Sequence, residues 1–237
     1  MYYDSTYILL IIGAILTLAA SAKVKSTFNK FNKVRSFRGM SGAAAAAKIL
    51  KENGLENVPV YEVPGNLTDH YDPRNRTLNL SQTVYGSTSI AAIAVAAHEC
   101  GHAIQHKEGY APMQIRSALV PAANIGSKLG MPLIIISWIF GLNFRLASGA
   151  IFSLADVGII LFSLAILFHV VTLPVEFDAS ARALRILERN GTLEGDEMKG
   201  ARKVLTAAAL TYVAAAAASV LSVLRLILRY GGRSRRK

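Results

Sequence analysis

His98-Glu99-Cys100-Gly101-His102 sets two histidines four residues apart, with a glutamate directly after the first. On an α-helix that separation is about 40° of rotation and about 6 Å of rise, so both imidazoles reach one ion from neighbouring turns. Glu99, one position on, then reaches a water held by the same ion. The run therefore predicts a zinc helix, with His98 and His102 as metal ligands, Glu99 as the general base and one Zn2+ per chain. Histidines that merely pack in a core are the plainer alternative. The setting favours the metal: residues 87–97 are alanine-rich and largely apolar, which predicts a buried helix that fixes both rings.

Cys100 is the only cysteine, so no intrachain disulfide forms and a reducing compartment suits the chain. Two positions from His98 it faces about 160° away on the helix, which predicts packing and no part in the chemistry.

Outward from this helix the chain becomes apolar. Its 237 residues are 52% hydrophobic, and their mean hydropathy is +0.36. Between Asp4 and Lys23 no charge interrupts residues 5–22, which at 1.5 Å per residue cover about 27 Å. No basic segment precedes this run and no clear cleavage site follows it, so a retained transmembrane anchor is expected rather than a signal peptide. Two more spans, at 128–144 and 157–175, are expected to form a membrane hairpin within 117–175. A fourth, 204–224, is dominated by alanine, which adds little to insertion. The domain reading follows: an anchor at 5–22, a catalytic segment at 23–116, the hairpin, a third-ligand helix region at 176–203, the fourth candidate span and a basic tail at 225–237.

Charge sets the orientation. Lys23, Lys25, Lys30, Lys33, Arg35 and Arg38 follow the first span and no cation precedes it. By the positive-inside rule the catalytic segment is cytoplasmic, in a multi-pass protein of the inner (plasma) membrane with the lipid bilayer as partner. The net charge of +11 is then a membrane signature. Its cations flank apolar spans without any recognition motif, so no nucleic acid is expected as partner. The tail conflicts with this scheme: four crossings put Arg225, Arg229, Arg233, Arg235, Arg236 and Lys237 on the outer side.

A catalytic zinc takes three protein ligands and keeps a fourth position for water. His106 lies about 6 Å beyond His102 along the axis, too far to share the ion. Glu108 stands where the extended motif would need a third histidine. Glu176 is the best candidate, because it directly follows the third span, where the hairpin returns the chain to the face it left. An ordinary interfacial carboxylate is the alternative.

Several blocks carry a family resemblance: the N-terminal span, Leu67-Thr68-Asp69-His70-Tyr71-Asp72-Pro73, Leu78-Asn79-Leu80-Ser81, residues 96–106, and Leu173-Pro174-Val175-Glu176-Phe177-Asp178-Ala179-Ser180. Over nearly the whole chain they resemble the YugP-like neutral zinc metallopeptidases of bacterial membranes. The resemblance implies zinc-dependent endopeptidase activity on a polypeptide substrate. A more distant similarity is to HtpX-type membrane proteases, in which a glutamate followed by Phe-x-Ala-Asp supplies the third ligand. That implies the same role for Glu176, with Ser180 standing here in place of the aspartate and Asp178 as a substitute at different spacing.

Candidates for oxyanion stabilisation or for support of the ligands are His70, Tyr71, His106, Asp178 and Arg182, with Tyr212 as a further donor. His70, between Asp69 and Asp72, reads equally well as a turn residue. Residues 55–63 and 76–84 bracket a turn-rich stretch and predict short strands, with 76–81 as an edge on which an extended peptide could pair, the alternative being an interior strand with no free edge. Residues 41–53 predict a helix capped by Ser41 and stopped by Gly54. The expected fold is α+β and mostly helical: a small zincin-like domain with a short β-sheet, plus three to four transmembrane helices. The expected function is a membrane-bound zinc endopeptidase acting on membrane or membrane-proximal polypeptides. The alternatives are a metal-bound chaperone or adaptor, or a zinc hydrolase of a non-peptide amide or ester. No oligomeric state follows from the sequence.

Overall fold

The computed structural model describes residues 5–145 and 151–230, so Arg233, Arg235, Arg236 and Lys237 of the expected tail lie outside the described residues. The elements run α1 (Tyr7–Phe31), α2 (Gly42–Glu52), β1 (Val60–Val63), β2 (His70–Asp72), β3 (Thr77–Ser81), α3 (Gln82–Tyr85), α4 (Ile90–Lys107), α5 (Ala111–Phe140), β4 (Asn143–Arg145), β5 (Ile151–Ser153), α6 (Leu154–Arg189) and α7 (Asp196–Tyr230). The architecture is mostly helical α+β. Contacts divide it into two compact units, one of residues 1–18, 115–172 and 213–237, the other of residues 19–114 and 173–212.

The first unit turns its large apolar side chains outward. Leu18 is 70% exposed, and Ile8, Ile15 and Trp138 are each near 60%. Apolar area left in water costs about 25 cal/mol per Å², so a surface of this kind calls for a lipid or protein cover. Among the described residues, α1, α5, α6 and α7 are long and apolar enough to cross a membrane. Small residues let them meet backbone to backbone, as in membrane helix pairs. A Cβ on Gly126 of α5 would lie 2.0 Å from the Leu161 carbonyl oxygen of α6, and one on Gly13 of α1 would lie 3.1 Å from the Ala218 Cβ of α7. The Arg225 guanidinium sits 4.2 Å from the Tyr7 ring centroid. The far end of α7 thus lies beside the start of α1. Helix α7 also carries Arg225 within it, so the expected tail begins as helix.

The second span ends earlier than its sequence suggests. Gly141, at φ +62°, stops α5 at Phe140, and its N–H returns to the Ser137 carbonyl at 2.9 Å. Only this left-handed conformation closes the helix here, and glycine adopts it without strain. Asn143 and Phe144, expected inside the span, belong to the β4–β5 hairpin.

In the second unit, a three-stranded sheet of order β1-β3-β2 backs the helices. β1 pairs parallel to β3, and β2 pairs antiparallel to it. The expected edge strand at 76–81 is corrected here: β3 is the central strand, and β1 and β2 are the outer ones. Its Leu78 and Leu80 are fully buried against Ile49, Leu50, Ile93 and Leu187. That alternation is what a strand covered on one face by helices requires. Residues 82–85 form the helical turn α3 rather than more strand.

The helix starts follow capping chemistry. Ser41 accepts from the Ala44 N–H at 3.2 Å, as its position predicts, and Gly54 at φ +64° follows the end of α2. Ser89 caps α4 through the Ala92 N–H at 3.1 Å. Region 176–203 is not one helix. α6 passes through Glu176 without a break and continues to Arg189. Gly191 and Gly195, both at positive φ, then turn the chain into α7.

Candidate metal centre

Three faces of α4 build the site, and about 100° of rotation per residue sorts them. His98 and His102 point along one stripe. Gly101 and Gln105 lie on one flank of that stripe and meet α6. Glu99 and His106 lie on the other flank and meet β2. The two imidazoles therefore lie between α6 on one flank and β2 on the other.

Gly101 permits the first of these contacts. A Cβ there would lie 2.6 Å from the Ala179 carbonyl oxygen, so only glycine lets α6 come this close. α6 brings Glu176, which is 2% exposed. Its Oε2 lies 3.2 Å from His98 Nε2 and 3.5 Å from His102 Nε2. One ligand atom from each of the three residues fits within 4.8 Å of the others. Two atoms each about 2.1 Å from a tetrahedral zinc stand about 3.4 Å apart, so the separations fit that ion, as does the set of two imidazoles and one carboxylate.

The outer ring nitrogens explain how the inner ones are aimed. His98 Nδ1 lies 3.1 Å from Ser180 Oγ, and His102 Nδ1 lies 3.0 Å from Gln105 Oε1. Gln105 Nε2 donates to the Val175 carbonyl and to Asp178 Oδ2, both at 2.8 Å. With its amide nitrogen committed to two acceptors, Gln105 offers only oxygen to His102. His102 Nδ1 must then carry the proton, which leaves the Nε2 lone pair for an ion. Asp178 is held in turn by Arg182 Nε at 2.5 Å, and Arg182 Nη1 reaches Glu108 at 2.6 Å.

Charge agrees with this geometry. Burial alone would raise the Glu176 carboxyl, but hydrogen bonds with His102 and His98 outweigh it and hold the group well below the usual carboxylate range. Burial likewise disfavours a charged His102, whereas its bond to Glu176 and the nearby Glu99 charge hold its pKa up. A buried anion among imidazoles that must be balanced by protons is the environment a divalent cation satisfies.

On the other flank, Glu99 Oε2 accepts the Tyr71 backbone N–H at 2.9 Å. The Tyr71 hydroxyl lies 2.8 Å from His106 Nδ1. His70, next along β2, turns away, bonded to the Thr68 carbonyl at 2.8 Å and to Asn79 Nδ2 at 3.3 Å. Cys100 is buried against α2, with Sγ 3.6 Å from the Ala46 carbonyl, and burial pushes its thiol pKa well up. The structure thus gathers His98, His102 and Glu176, lays Glu99, Tyr71 and His106 along one flank, and puts Asp178 and Arg182 behind Gln105. Gln105 is the residue the sequence reading did not assign, while Ser180, which stands in place of the HtpX-type aspartate, is the partner of His98 Nδ1. The only local signal for Gln105 is a polar side chain three positions after His102.

Replacing Gln105 by leucine should lower zinc affinity by about 10–100-fold in a folded protein, because His102 loses the partner that fixes its tautomer. Competition with a zinc-chelating dye measures this, and an unchanged affinity would show that His102 is oriented by something else.

A helical fold with an internal two-histidine, one-carboxylate site of this spacing defines a candidate zinc-hydrolase architecture. The chain belongs to the family described as "Putative neutral zinc metallopeptidase", whose model matches residues 6–231. It is 45% identical over 224 residues, 94% of its own length and 95% of the relative's, to the "Putative membrane protease YugP" of Bacillus subtilis (strain 168). No solved structure matches it at a significant level.

Proposed function

We propose that this protein is a membrane-bound zinc-dependent endopeptidase, with His98, His102 and Glu176 as the metal ligands and Glu99 as the general base. The observation that carries the proposal is the spacing of the three ligand atoms with a carboxylate held beside them on the flank facing β2. Bound there, zinc supplies a Lewis acid that polarises the scissile carbonyl and makes a water acidic near neutral pH. Glu99 takes the proton of that water as the oxygen attacks the carbonyl carbon, and passes it to the leaving amine as the C–N bond breaks. The Tyr71 N–H on one carboxylate oxygen leaves the other free to work. β2 is an outer strand beside Glu99, so an extended peptide laid along it would present its carbonyl to the cleft.

Substrates on this reading are membrane or membrane-proximal polypeptides, because Glu176 is the first charge after the apolar stretch of its own helix. The cations after the first span support a cytoplasmic catalytic unit in the plasma membrane. A purely structural zinc would close its fourth position and need no Glu99, which disfavours a chaperone or adaptor. Hydrolysis of a non-peptide amide or ester uses the same groups and is separated by substrate alone.

The test is metal removal. Dialysis of the detergent-solubilised protein against a chelator should abolish casein cleavage, and one equivalent of zinc should restore it. Cleavage that survives complete stripping would overturn the proposal.

A further inference from the structure

We propose that Tyr71 stabilises the oxyanion formed on the substrate carbonyl, and that His106 is the positioning residue for its hydroxyl; this rests on the peptidase reading above. Tyr71 is fixed at both ends. Its backbone N–H is bonded to Glu99 Oε2 at 2.9 Å, and its hydroxyl lies 2.8 Å from His106 Nδ1. Glu99 and His106 are seven positions apart on α4, so they share nearly one angular position at about 10 Å separation along the axis, with His102 between them. A tyrosine held at those two points lies along the β2-facing flank of α4, past His102. Its ring centroid is 5.8 Å from that of His106, tilted by 55°.

Two of the competing donors are engaged elsewhere, and Tyr212 lies on α7 and is 36% exposed. Arg182 is taken by Asp178 and Glu108, and His70 is tied to Thr68 and Asn79. Tyr71 and His106 are only partly buried, so both are within reach of solvent, unlike the three clustered ligands.

The proposal requires one of the two tautomers the Tyr71–His106 bond allows: with the proton on His106 Nδ1 donating to the phenol oxygen, the Tyr71 O–H is left to donate to a third atom. As the water oxygen bonds to the carbonyl carbon, the carbonyl π pair moves to its oxygen and Glu99 accepts the water proton. Tyr71 meets the new negative charge with a hydrogen bond and transfers no proton. When the C–N bond breaks, the charge returns to the carbonyl and Glu99 protonates the amine. Burial raises the Tyr71 phenol above its ordinary value, which keeps it a donor at working pH.

The experiment compares the zinc-loaded wild type in detergent with Tyr71→Phe, His106→Ala and the double variant. It reads zinc content, kcat and KM on a fluorogenic peptide, and calorimetric binding of a phosphinic pseudopeptide whose tetrahedral oxygens mimic the oxyanion. Tyr71→Phe should lower kcat about 100-fold with KM and zinc unchanged, and should weaken phosphinic peptide binding by a similar factor. His106→Ala should lower kcat about 10-fold, and the double variant should be no worse than Tyr71→Phe, because one residue acts through the other. Tyr71→Phe with wild-type kcat and wild-type phosphinic affinity overturns the assignment, as does a double variant whose loss is the product of the two single losses. A wild type that neither cleaves the peptide nor binds the phosphinic compound sinks the peptidase reading as well. An active wild type indifferent to Tyr71→Phe sinks this inference alone.

Discussion

Glu99→Gln should keep its zinc and lose peptide hydrolysis by about 10³-fold, within the range a positioned proton acceptor contributes. The two side chains have the same shape. Glutamine still offers an oxygen to the Tyr71 N–H, which Glu99 Oε2 accepts at 2.9 Å, so the backbone of β2 stays where it is. None of the three clustered ligand atoms belongs to Glu99, so the metal should remain. What disappears is the capacity to accept a proton. Metal analysis and casein cleavage on the same sample measure both halves of this expectation. Retained activity would mean that another group takes the proton, and lost metal would mean that Glu99 is itself part of the ion's cage.

Glu176→Ala should fail in both respects. Its carboxylate lies 3.2 Å and 3.5 Å from the two imidazole nitrogens and is the only anionic member of the cluster. Its loss should lower zinc affinity by more than the roughly 100-fold that removal of a ligand's outer partner can cost. Activity should fall with occupancy, and excess zinc should recover little of it, since the remaining pair no longer holds the ion in a three-ligand frame. Full zinc content with full activity in this variant would remove Glu176 from the site. Together with the Glu99 variant, this separates holding the ion from using it.

What could be read from the sequence depended on the range of each signal. His98, Glu99 and His102 are legible because their relation is set by one helix, and α-helical geometry turns spacing into direction. Glu176 could be proposed through apolar runs and charge, which leave side-chain direction open, and through the HtpX-type resemblance. Gln105 was illegible as a partner, since it is chosen by a histidine on a neighbouring turn, and Ser180 was marked only by the family resemblance, which put it where an aspartate was expected. The sheet was misread for a similar reason. β2 is three residues long, and its partner across the ladder lies beyond a turn, so no periodicity announces that β3 is flanked on both sides. The end of α5 depended on the conformation of Gly141, which composition cannot report.

His98 and Glu176 are 78 positions apart in the chain and meet because α6 carries straight on from its apolar stretch into the site. The ribosome therefore finishes the HExxH helix well before it makes the last ligand. A nascent chain stopped between residues 102 and 176 carries two imidazoles without their carboxylate, and on the proposed reading stays unarmed to that point. On the proposed reading, the protein needs no separate inhibitory segment to restrain it at birth, because the order in which its residues are made imposes the delay.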